Sequence, residues 1–427
     1  MAHPHLILNL CDSAWGETIT AFNIARDLIA HGEACVLATS NGQFVKNYRR
    51  SERSQIPVEL VDLSGNITRQ IQKLLRRKHA ASIIVADFAT FDSTMKKRGE
   101  HLQFLFDSTI PIFAVDTWDS SESGACVDVF GRQTTQRAGV CAKFPFTRLL
   151  PSPPLRPVGQ GARFSALHQF PVGGSMDRRL VRNSLGLPES LPIVLCCTSI
   201  WQQCGFEGTR GFRVATETPK VIAEYLVKTS ESIHLAHVGP APLALESILG
   251  KRYHWLRTQS LAQFSQLVQS IDLLISLNMW TSTISLCVRV GTPVLIIQNS
   301  CRAESTAEAL HWLGGSPNEE TVQRIERLIP LFPFGLWPVG CSDFLKPIMK
   351  RNDYLRAVKV VELLRENDFI RECRGLAFEK PYRERLIRNQ TVYAARLSRL
   401  PTAASLVQGV VARQRSSKNR IANLTSK

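Results

Sequence analysis

The sequence predicts an α/β fold with two Rossmann-like domains that face each other across a cleft and a helical carboxyl-terminal extension. Three observations carry this prediction. Apolar, strand-like runs alternate with helical segments through residues 1–150, the alternation resumes near residue 191, and a Pro- and Gly-rich stretch at 151–175 separates the two parts. Such alternation is typical of a parallel sheet that helices cover on both faces, and 427 residues suffice for two or three domains.

In the first half, strands are predicted from short apolar runs and helices from apolar residues that recur at three- and four-residue spacing. The first strand is expected at 5–11, a loop at 12–16 and a helix at 18–31, which Gly32 ends. The further strands are expected at 34–38, 58–63, 82–88 and 110–115, and the helices at 67–78 and 90–106.

The second half repeats the pattern and then becomes helical. Strands are expected at 191–198, 233–238, 253–257, 273–277 and 294–298, with helices at 177–185, 217–229, 262–269 and after residue 280. Beyond residue 300 we predict helices at 304–313, 321–328, 354–366 and 383–398. The resulting domains are an amino-terminal domain at 1–150, a linker at 151–190, a second domain at 191–345, carboxyl-terminal helices at 346–412 and a disordered basic tail at 413–427.

The composition is that of a soluble globular enzyme, with 44% hydrophobic and 21% charged residues. No apolar run approaches the roughly 20 residues that span a bilayer, and the amino terminus has no signal-peptide pattern, so we expect a cytoplasmic protein. The 11 cysteines form no C-x-x-C pair and no zinc-spaced cluster. We therefore expect neither a metal site nor a disulfide framework.

The net charge of +16 is concentrated near the carboxyl end, where residues 341–427 hold 19 Lys/Arg and 8 Asp/Glu. Net charge bears on partners and solubility. A solvated basic helical region and a surface for peripheral contact with an anionic membrane are the two leading interpretations. Specific nucleic-acid binding is not expected, because no aromatic platform or helix-turn-helix pattern is present.

Three segments resemble GT-B glycosyltransferases. Residues 15–39 (WGETITAFNIARDLIAHGEACVLAT) resemble the amino-terminal segment of that family, which reads G-H-x-T, then a helix of the form A-x-x-L-A-R-x-L. Residues 271–299 resemble its donor-binding half, where a strand is followed by H-G-G, a helix with a Glu, and G-x-P-V, and residues 82–88 (SIIVADF) resemble the DxVISDF strand.

The resemblance implies a metal-independent, biosynthetic glycosyltransferase. Such an enzyme would need no cofactor beyond its co-substrate. A nucleotide-diphosphate sugar would bind mainly to the second domain. The acceptor, a small molecule or a lipid-linked one, would bind mainly to the first domain.

The donor site is expected at the loops that follow the strands of the second domain, because ligands of open α/β sheets gather at the carboxyl ends of the strands. The unpaired N–H groups and partial positive charge of a helix N-terminus favour phosphate, although an ordinary capped helix would show the same pattern. The candidate donor-binding residues are Ser199, Arg210, Gly239, Asn278, Thr281, Ser282 and Thr283.

The catalytic base is expected in the first domain, with Glu17, Asp12 and Asp116 as candidates. A carboxylate in a partly dry cleft has a raised pKa and accepts a proton readily. Glu17 would alternatively be a first-turn carboxylate that the helix dipole favours. Asp116 would alternatively bind a divalent cation together with Asp119 and Glu122, which the resemblance to metal-independent enzymes disfavours.

The chain departs from the family pattern at several positions. Aligned on GTPV, Asn278 stands at the family's His, Met279 and Trp280 at its glycines, and Leu286 near its helix Glu. A leucine accepts no hydrogen bond from a ribose or sugar hydroxyl. Two alternatives therefore stay open: another reaction on the same fold, such as epimerisation or non-sugar group transfer, and a non-catalytic cleft protein with a basic partner-binding surface.

Overall fold

The computed structural model describes residues 3–11, 15–42, 45, 56–117, 141–152, 161–166, 177–203, 210–257, 259–279, 281–332 and 353–425. Within these residues the chain forms two parallel sheets, one of seven strands and one of six, with helices packed against them. The predicted fold class is confirmed.

The first sheet has the strand order β3-β2-β1-β4-β5-β6-β7. All its strand pairs are parallel, so the carboxyl ends of the strands lie at one edge. The strands are β1 (His5–Asn9), β2 (Cys35–Thr39), β3 (Val58–Leu60), β4 (Ser82–Val85), β5 (Ile112–Val115), β6 (Thr147–Ser152) and β7 (Ala162–Ser165).

The second sheet has the order β10-β9-β8-β11-β12-β13 and is also parallel. Its first strand in sequence, β8, lies between β9 and β11, so the loops after β8 and β11 are neighbours. The strands are β8 (Ile193–Cys197), β9 (His234–Val238), β10 (Tyr253–Leu256), β11 (Leu273–Ser276), β12 (Val294–Gln298) and β13 (Lys359–Glu362).

The helices of the amino-terminal part connect and cover the first sheet. They are α1 (Trp15–Ala30), α2 (Ile67–Lys78), α3 (Phe88–Lys97) and α4 (Gln103–Phe106). The remaining helices are α5 (Arg178–Ser184), α6 (Ile200–Gln203), α7 (Arg210–Thr229), α8 (Glu246–Leu249), α9 (Leu261–Ser270), α10 (Ser282–Val290), α11 (Thr306–Leu313), α12 (Glu319–Leu328), α13 (Tyr354–Ala357), α14 (Glu366–Phe378), α15 (Lys380–Leu397) and α16 (Ala403–Thr425).

The two sheets extend beyond the predicted domain limits. Strands β6 and β7 both belong to the first sheet, so this sheet continues past residue 150 into the segment predicted as a linker. Helix α5, also within that segment, packs against α9 of the second domain. Strand β13 adds a sixth strand to the second sheet beyond residue 345.

The helix predicted at 354–366 is wrong. Within this range the structure has a single helical turn, Tyr354–Ala357, and the first residue of α14, Glu366. Between them Lys359–Glu362 form β13, which pairs in parallel with β12 from Leu295↔Lys359 to Gln298↔Glu362. The run KVVELL suits both periodicities over so short a length, and pairing with a sheet edge decides in favour of the strand.

In the segment predicted as a disordered tail at 413–427, residues 413–425 continue α16 to Thr425. Residues 426–427 lie outside the described residues. The amino-terminal half of α16 returns to the first domain. Ala404 and Val407 are buried there with Phe22 and Leu28 of α1, and the backbone N–H of Ala404 donates to Asp27 Oδ2 at 2.7 Å. The apolar face of α16 therefore completes the core of the first domain.

Candidate active site

The candidate site lies where the first turns of α1 and α10 meet. A Cβ atom placed on Gly16, at the start of α1, would lie 4.0 Å from the hydroxyl oxygen of Ser282, the first residue of α10. Ile19 of α1 contacts the apolar cores of both domains. Two helix N-termini, one from each domain, thus face the same space.

Glu17 occupies the first turn of α1 beside this contact and is half-buried. Burial and then the negative charge of Asp87 raise the pKa of Glu17 to about 7. Both causes disfavour the ionised form, because removal from water and a like charge each make a second negative charge costly. A carboxyl group with a pKa near 7 exchanges a proton readily at neutral pH.

Asp87 follows β4 and is held in a fixed orientation. Its Oδ1 accepts a hydrogen bond of 2.7 Å from the backbone N–H of Thr90, which caps α3, and its Oδ2 accepts one of 2.9 Å from the Thr117 hydroxyl. The side chain is buried. Asp87 is therefore a stationary negative charge that acts on Glu17 from the end of a neighbouring strand.

Asp116 also lies at the predicted edge of the sheet, just after β5, but it is engaged in a buried ion pair. Arg148 of β6 donates to Asp116 Oδ2 through Nη2 at 2.7 Å and through Nε at 3.1 Å. A carboxylate held by a buried guanidinium is a poor proton acceptor. Asp12, Asp119 and Glu122 lie outside the described residues. The structure therefore describes two of the candidate bases, Glu17 and Asp116, and Asp116 is engaged by Arg148.

The N-terminus of α10 offers free amide groups. Thr281 caps the helix, its Oγ1 accepting from the backbone N–H of Ile284 at 3.1 Å. The backbone N–H groups of Ser282 and Thr283 precede the first internal hydrogen bonds of the helix. Within the described part of the chain, neither these amides nor the two side-chain hydroxyls have a hydrogen-bond partner. The predicted phosphate-binding residues therefore form a set of donors that point out of the helix end.

Hydrogen bonds from Ser276 and Tyr354 hold the loop between β11 and α10 in place. The hydroxyl of Ser276 donates to the Asn278 carbonyl at 3.0 Å, and Ser276 Oγ accepts from the Asn278 N–H at 3.2 Å. The Tyr354 hydroxyl donates to the Met279 carbonyl. The side-chain oxygen of Asn278 is buried without a hydrogen-bond partner among the described residues. Trp280 lies outside these residues.

Leu286 is fully buried on the core side of α10, among apolar residues that include Ile284 and Val288. A side chain at this position faces the core. The departure from the family's Glu is therefore matched by an apolar environment, and recognition of a ribose or sugar would need other residues.

Ser199, at the end of β8, donates its hydrogen bonds to a residue of its own connection, Gln202. Its hydroxyl donates to Gln202 Oε1 at 3.0 Å, and its backbone N–H donates to the same oxygen at 2.7 Å. The residue before it, Thr198, is half-buried at the same strand end, with its Oγ1 2.7 Å from Nε2 of His237. The strand end thus presents two hydroxyls with different partners.

Gly239 follows β9 and lies against this Thr198–His237 contact. A Cβ atom at Gly239 would stand 2.4 Å from Thr198 Oγ1 and 2.7 Å from His237 Nε2. Its carbonyl accepts from the Trp255 indole N–H at 3.1 Å. The glycine at this position is required by contacts within the protein, whether or not a nucleotide approaches its backbone.

The two loop arginines are only partly defined. Helix α7 begins at Arg210, whose side chain is outside the described residues, and Arg213 is exposed one turn later.

No group of three or more His, Cys, Asp or Glu side chains suited to hold a metal ion occurs in the described part of the chain. Among the same residues, no helix combines the length and apolar character that a membrane span requires.

Sequence reasoning left Thr198, His237 and Tyr253 out of the candidate site. A histidine at the inner position of an apolar strand, as in IHLAHV at 233–238, is the signal that was available. The pairing of β9 with both β8 and β10 places it between Thr198 and Tyr253, which the sequence does not show.

Comparison with solved structures identifies the fold as that of GT-B glycosyltransferases. The chain is similar to UGT89C1 of Arabidopsis thaliana in complex with UDP-L-rhamnose, with a TM-score of 0.56, 11% identity, and 96% and 99% of the two chains covered. It is similar to the spinosyn rhamnosyltransferase SpnG with its aglycone, at 0.53, 12%, 95% and 99%. It is also similar to the glycosyltransferase VinC with dTDP, at 0.51, 13%, 96% and 98%.

Sequence comparison adds the family. No curated protein matches the sequence significantly. A family model described as a family of unknown function, DUF6365, matches residues 24–417, which include most of both sheets and the start of α16. The chain is therefore a GT-B-fold member of the DUF6365 family.

Proposed function

We propose that the protein is a glycosyltransferase that moves a sugar from a nucleotide-diphosphate donor to an acceptor hydroxyl. The observation that carries the proposal is the approach of Gly16 to Ser282. It brings together a carboxyl group with a pKa of about 7, from the first domain, and free helix amides, from the second. One part suits proton removal, and the other suits a leaving diphosphate.

The donor would lie along the carboxyl edge of the second sheet. Its diphosphate would accept hydrogen bonds from the amides of Ser282 and Thr283, where the dipole of α10 also favours negative charge. These groups would hold the charge that develops as the sugar leaves, without the help of a bound cation. The dTDP and UDP-L-rhamnose in the VinC and UGT89C1 structures support a nucleoside diphosphate as the ligand class.

The acceptor, a small molecule or a lipid-linked one, would lie over the first domain beside Glu17. The ionised Glu17 carboxylate would take the proton of the acceptor hydroxyl. The acceptor oxygen would form a bond to the anomeric carbon while the bond from that carbon to the diphosphate oxygen breaks, and its electron pair would leave with the diphosphate. Asp87 would act as a positioning residue, since its fixed charge raises the pKa of Glu17.

Ligand binding tests the donor half of this proposal. Thermal melts with UDP, dTDP, GDP and CDP should show stabilisation by at least one of them, because a ligand that binds only the native state raises its stability. If none of the four shifts the melting temperature at millimolar concentration, the proposed donor site is wrong.

The reaction is tested with the sugar nucleotide of the diphosphate that binds. Release of that diphosphate in the presence of an acceptor library is expected for the wild type and is expected to be lost in E17Q. Epimerisation of the donor sugar without release of diphosphate would instead establish the alternative reaction on the same fold.

A further inference from the structure

A buried chain of hydrogen bonds leads from the interior of the second domain to the carboxyl edge of its sheet. It joins the backbone N–H of Leu243, the hydroxyl of Tyr253, the ring of His237 and the hydroxyl of Thr198. The three links measure 2.9, 2.9 and 2.7 Å. Thr198 follows β8, His237 is the fourth residue of β9, Leu243 lies in the connection after β9, and Tyr253 is the first residue of the neighbouring β10. Of these residues, only Thr198 is half-buried, and the others are buried.

The first link has a fixed direction, because a backbone N–H can only donate. The Leu243 N–H therefore donates to the Tyr253 oxygen. Burial raises the pKa of Tyr253 to about 12, so the phenol keeps its own proton. The only remaining polar partner of this phenol in the described part of the chain is Nδ1 of His237, so the Tyr253 O–H must donate to Nδ1.

The direction of the Tyr253 hydrogen bond then determines which nitrogen of the His237 ring carries the proton. His237 has no exposed surface, and burial lowers its pKa to about 4, so the ring is neutral and carries a single proton. Because Nδ1 accepts from Tyr253, that proton is on Nε2. Nε2–H consequently donates to Thr198 Oγ1 at 2.7 Å, and the proton of the Thr198 hydroxyl has no acceptor among the residues that the structure describes.

We propose that Tyr253 and His237 are positioning residues that fix the Thr198 hydroxyl as a hydrogen-bond donor to the diphosphate of the donor substrate. The inference rests on the proposed function for the identity of the ligand. Thr198 takes the place of Ser199 as the residue after β8 whose hydroxyl contacts the ligand, because the Ser199 hydroxyl already donates its proton to Gln202. Strand β8 lies beside β11, so Thr198 and the α10 amides face the same stretch of sheet edge.

This arrangement also accounts for Gly239. Any side chain there would overlap both Thr198 Oγ1 and His237 Nε2, and the backbone at Gly239 is held by Leu256 and Trp255 on the other side. The absence of a Cβ atom thus preserves the last link of the chain at the point where it emerges.

The tautomer of His237 is the first test, and it does not depend on any ligand. Nitrogen-15 NMR of histidine-labelled protein, with the signals assigned by loss in H237Q, is expected to show a ring protonated only at Nε2 between pH 5.5 and 8. A ring protonated at Nδ1 would reverse the chain and overturn the proposal, whatever the protein binds.

Binding of UDP and dTDP, measured by calorimetry, is the second test. T198V removes the hydroxyl at nearly constant shape and should weaken the diphosphate that binds by about 10- to 100-fold, as expected for a hydrogen bond to a charged group. T198S keeps the hydroxyl and should bind within a few-fold of the wild type. If the wild type binds but T198V binds equally well, this inference fails while the proposed function stands. If the wild type binds none of UDP, dTDP, GDP and CDP, the proposed function and the diphosphate role of Thr198 fail together.

The variant Y253F tests whether Tyr253 positions the His237 ring or only supports the fold. Without the phenolic proton the ring is no longer confined to one tautomer, and only the Nε2–H form leaves the Thr198 proton available. The UDP or dTDP affinity should fall in proportion to the NMR population of that form, about twofold when the two forms are equal. T198V/Y253F should bind as T198V does, and an additive loss in the double variant would contradict the relay.

Discussion

Gly16 and Ser282 stand opposite each other at the start of α1 and α10, with 4.0 Å between Ser282 Oγ and the position of a Cβ atom on Gly16. The residues are far apart in sequence and belong to different domains. Their approach aligns two helix N-termini on one space and places Glu17 at its side.

E17Q should lower turnover by about 10²- to 10⁴-fold, the usual contribution of a general base, while leaving UDP or dTDP affinity near that of the wild type. Because the pKa of Glu17 is about 7 and the base must be ionised, the wild-type rate should rise with pH, with its midpoint near pH 7, and level off about one pH unit higher. Steady-state kinetics from pH 5 to 9 measure both effects.

The matched control is E231Q, which makes the same change at an exposed residue before β9. It should leave the rate and its pH profile unaltered. Full turnover in E17Q would remove Glu17 as the base and leave Asp12 as the next candidate to test.

Glu17 should also make the fold less stable as the pH rises. Its pKa is raised from 4.5 to about 7 on folding, so the unfolded chain ionises first and the relative stability of the native state falls between these values. E17Q lacks this penalty. The difference in melting temperature, E17Q minus wild type, should be small at pH 4.5, should grow up to about pH 7 and should then stay constant. A difference that does not vary with pH would show that the carboxyl group is not perturbed.

T281A should weaken both the helix and the donor site. Thr281 caps α10, and loss of such a cap costs about 1 kcal/mol of the free energy of unfolding. If the α10 N-terminus holds the diphosphate, the affinity for UDP or dTDP should fall at least several-fold as well.

N318A provides the comparison, because Asn318 caps α12 in the same manner, accepting from the Thr321 N–H at 2.9 Å. It should lose similar stability in chemical denaturation and keep the affinity of the wild type. Equal affinities in the two variants would place the diphosphate away from α10.

The return of α16 should contribute directly to stability. Val407 is completely buried against the first domain, whereas Val392 of α15 is 64% exposed. V407A should lower the free energy of unfolding by about 1–3 kcal/mol through lost burial and an unfilled space. V392A should change it by less than about 0.5 kcal/mol. Urea denaturation measures both, and equal effects would mean that α16 is not docked in solution.

The sequence predicted the site best where it depends on a single strand–loop–helix unit. Glu17, Thr281, Ser282 and Thr283 each follow directly from the start of a helix after a strand, and the structure places them at the facing helix ends. The sequence could not show that Asp116 pairs with Arg148, because that ion pair depends on β5 and β6 being neighbours.

The same distinction holds for the fold. Local periodicity by itself determined the two alternating α/β halves, since apolar spacing within one segment decides whether that segment is a strand or a helix. Only the tertiary structure decided that KVVE is a sixth strand, that α16 closes the first domain, and that Thr198, His237 and Tyr253 share one hydrogen-bond chain. Each of these depends on contacts between segments distant in sequence, which are formed by strand pairing and burial and leave no periodic pattern in the chain.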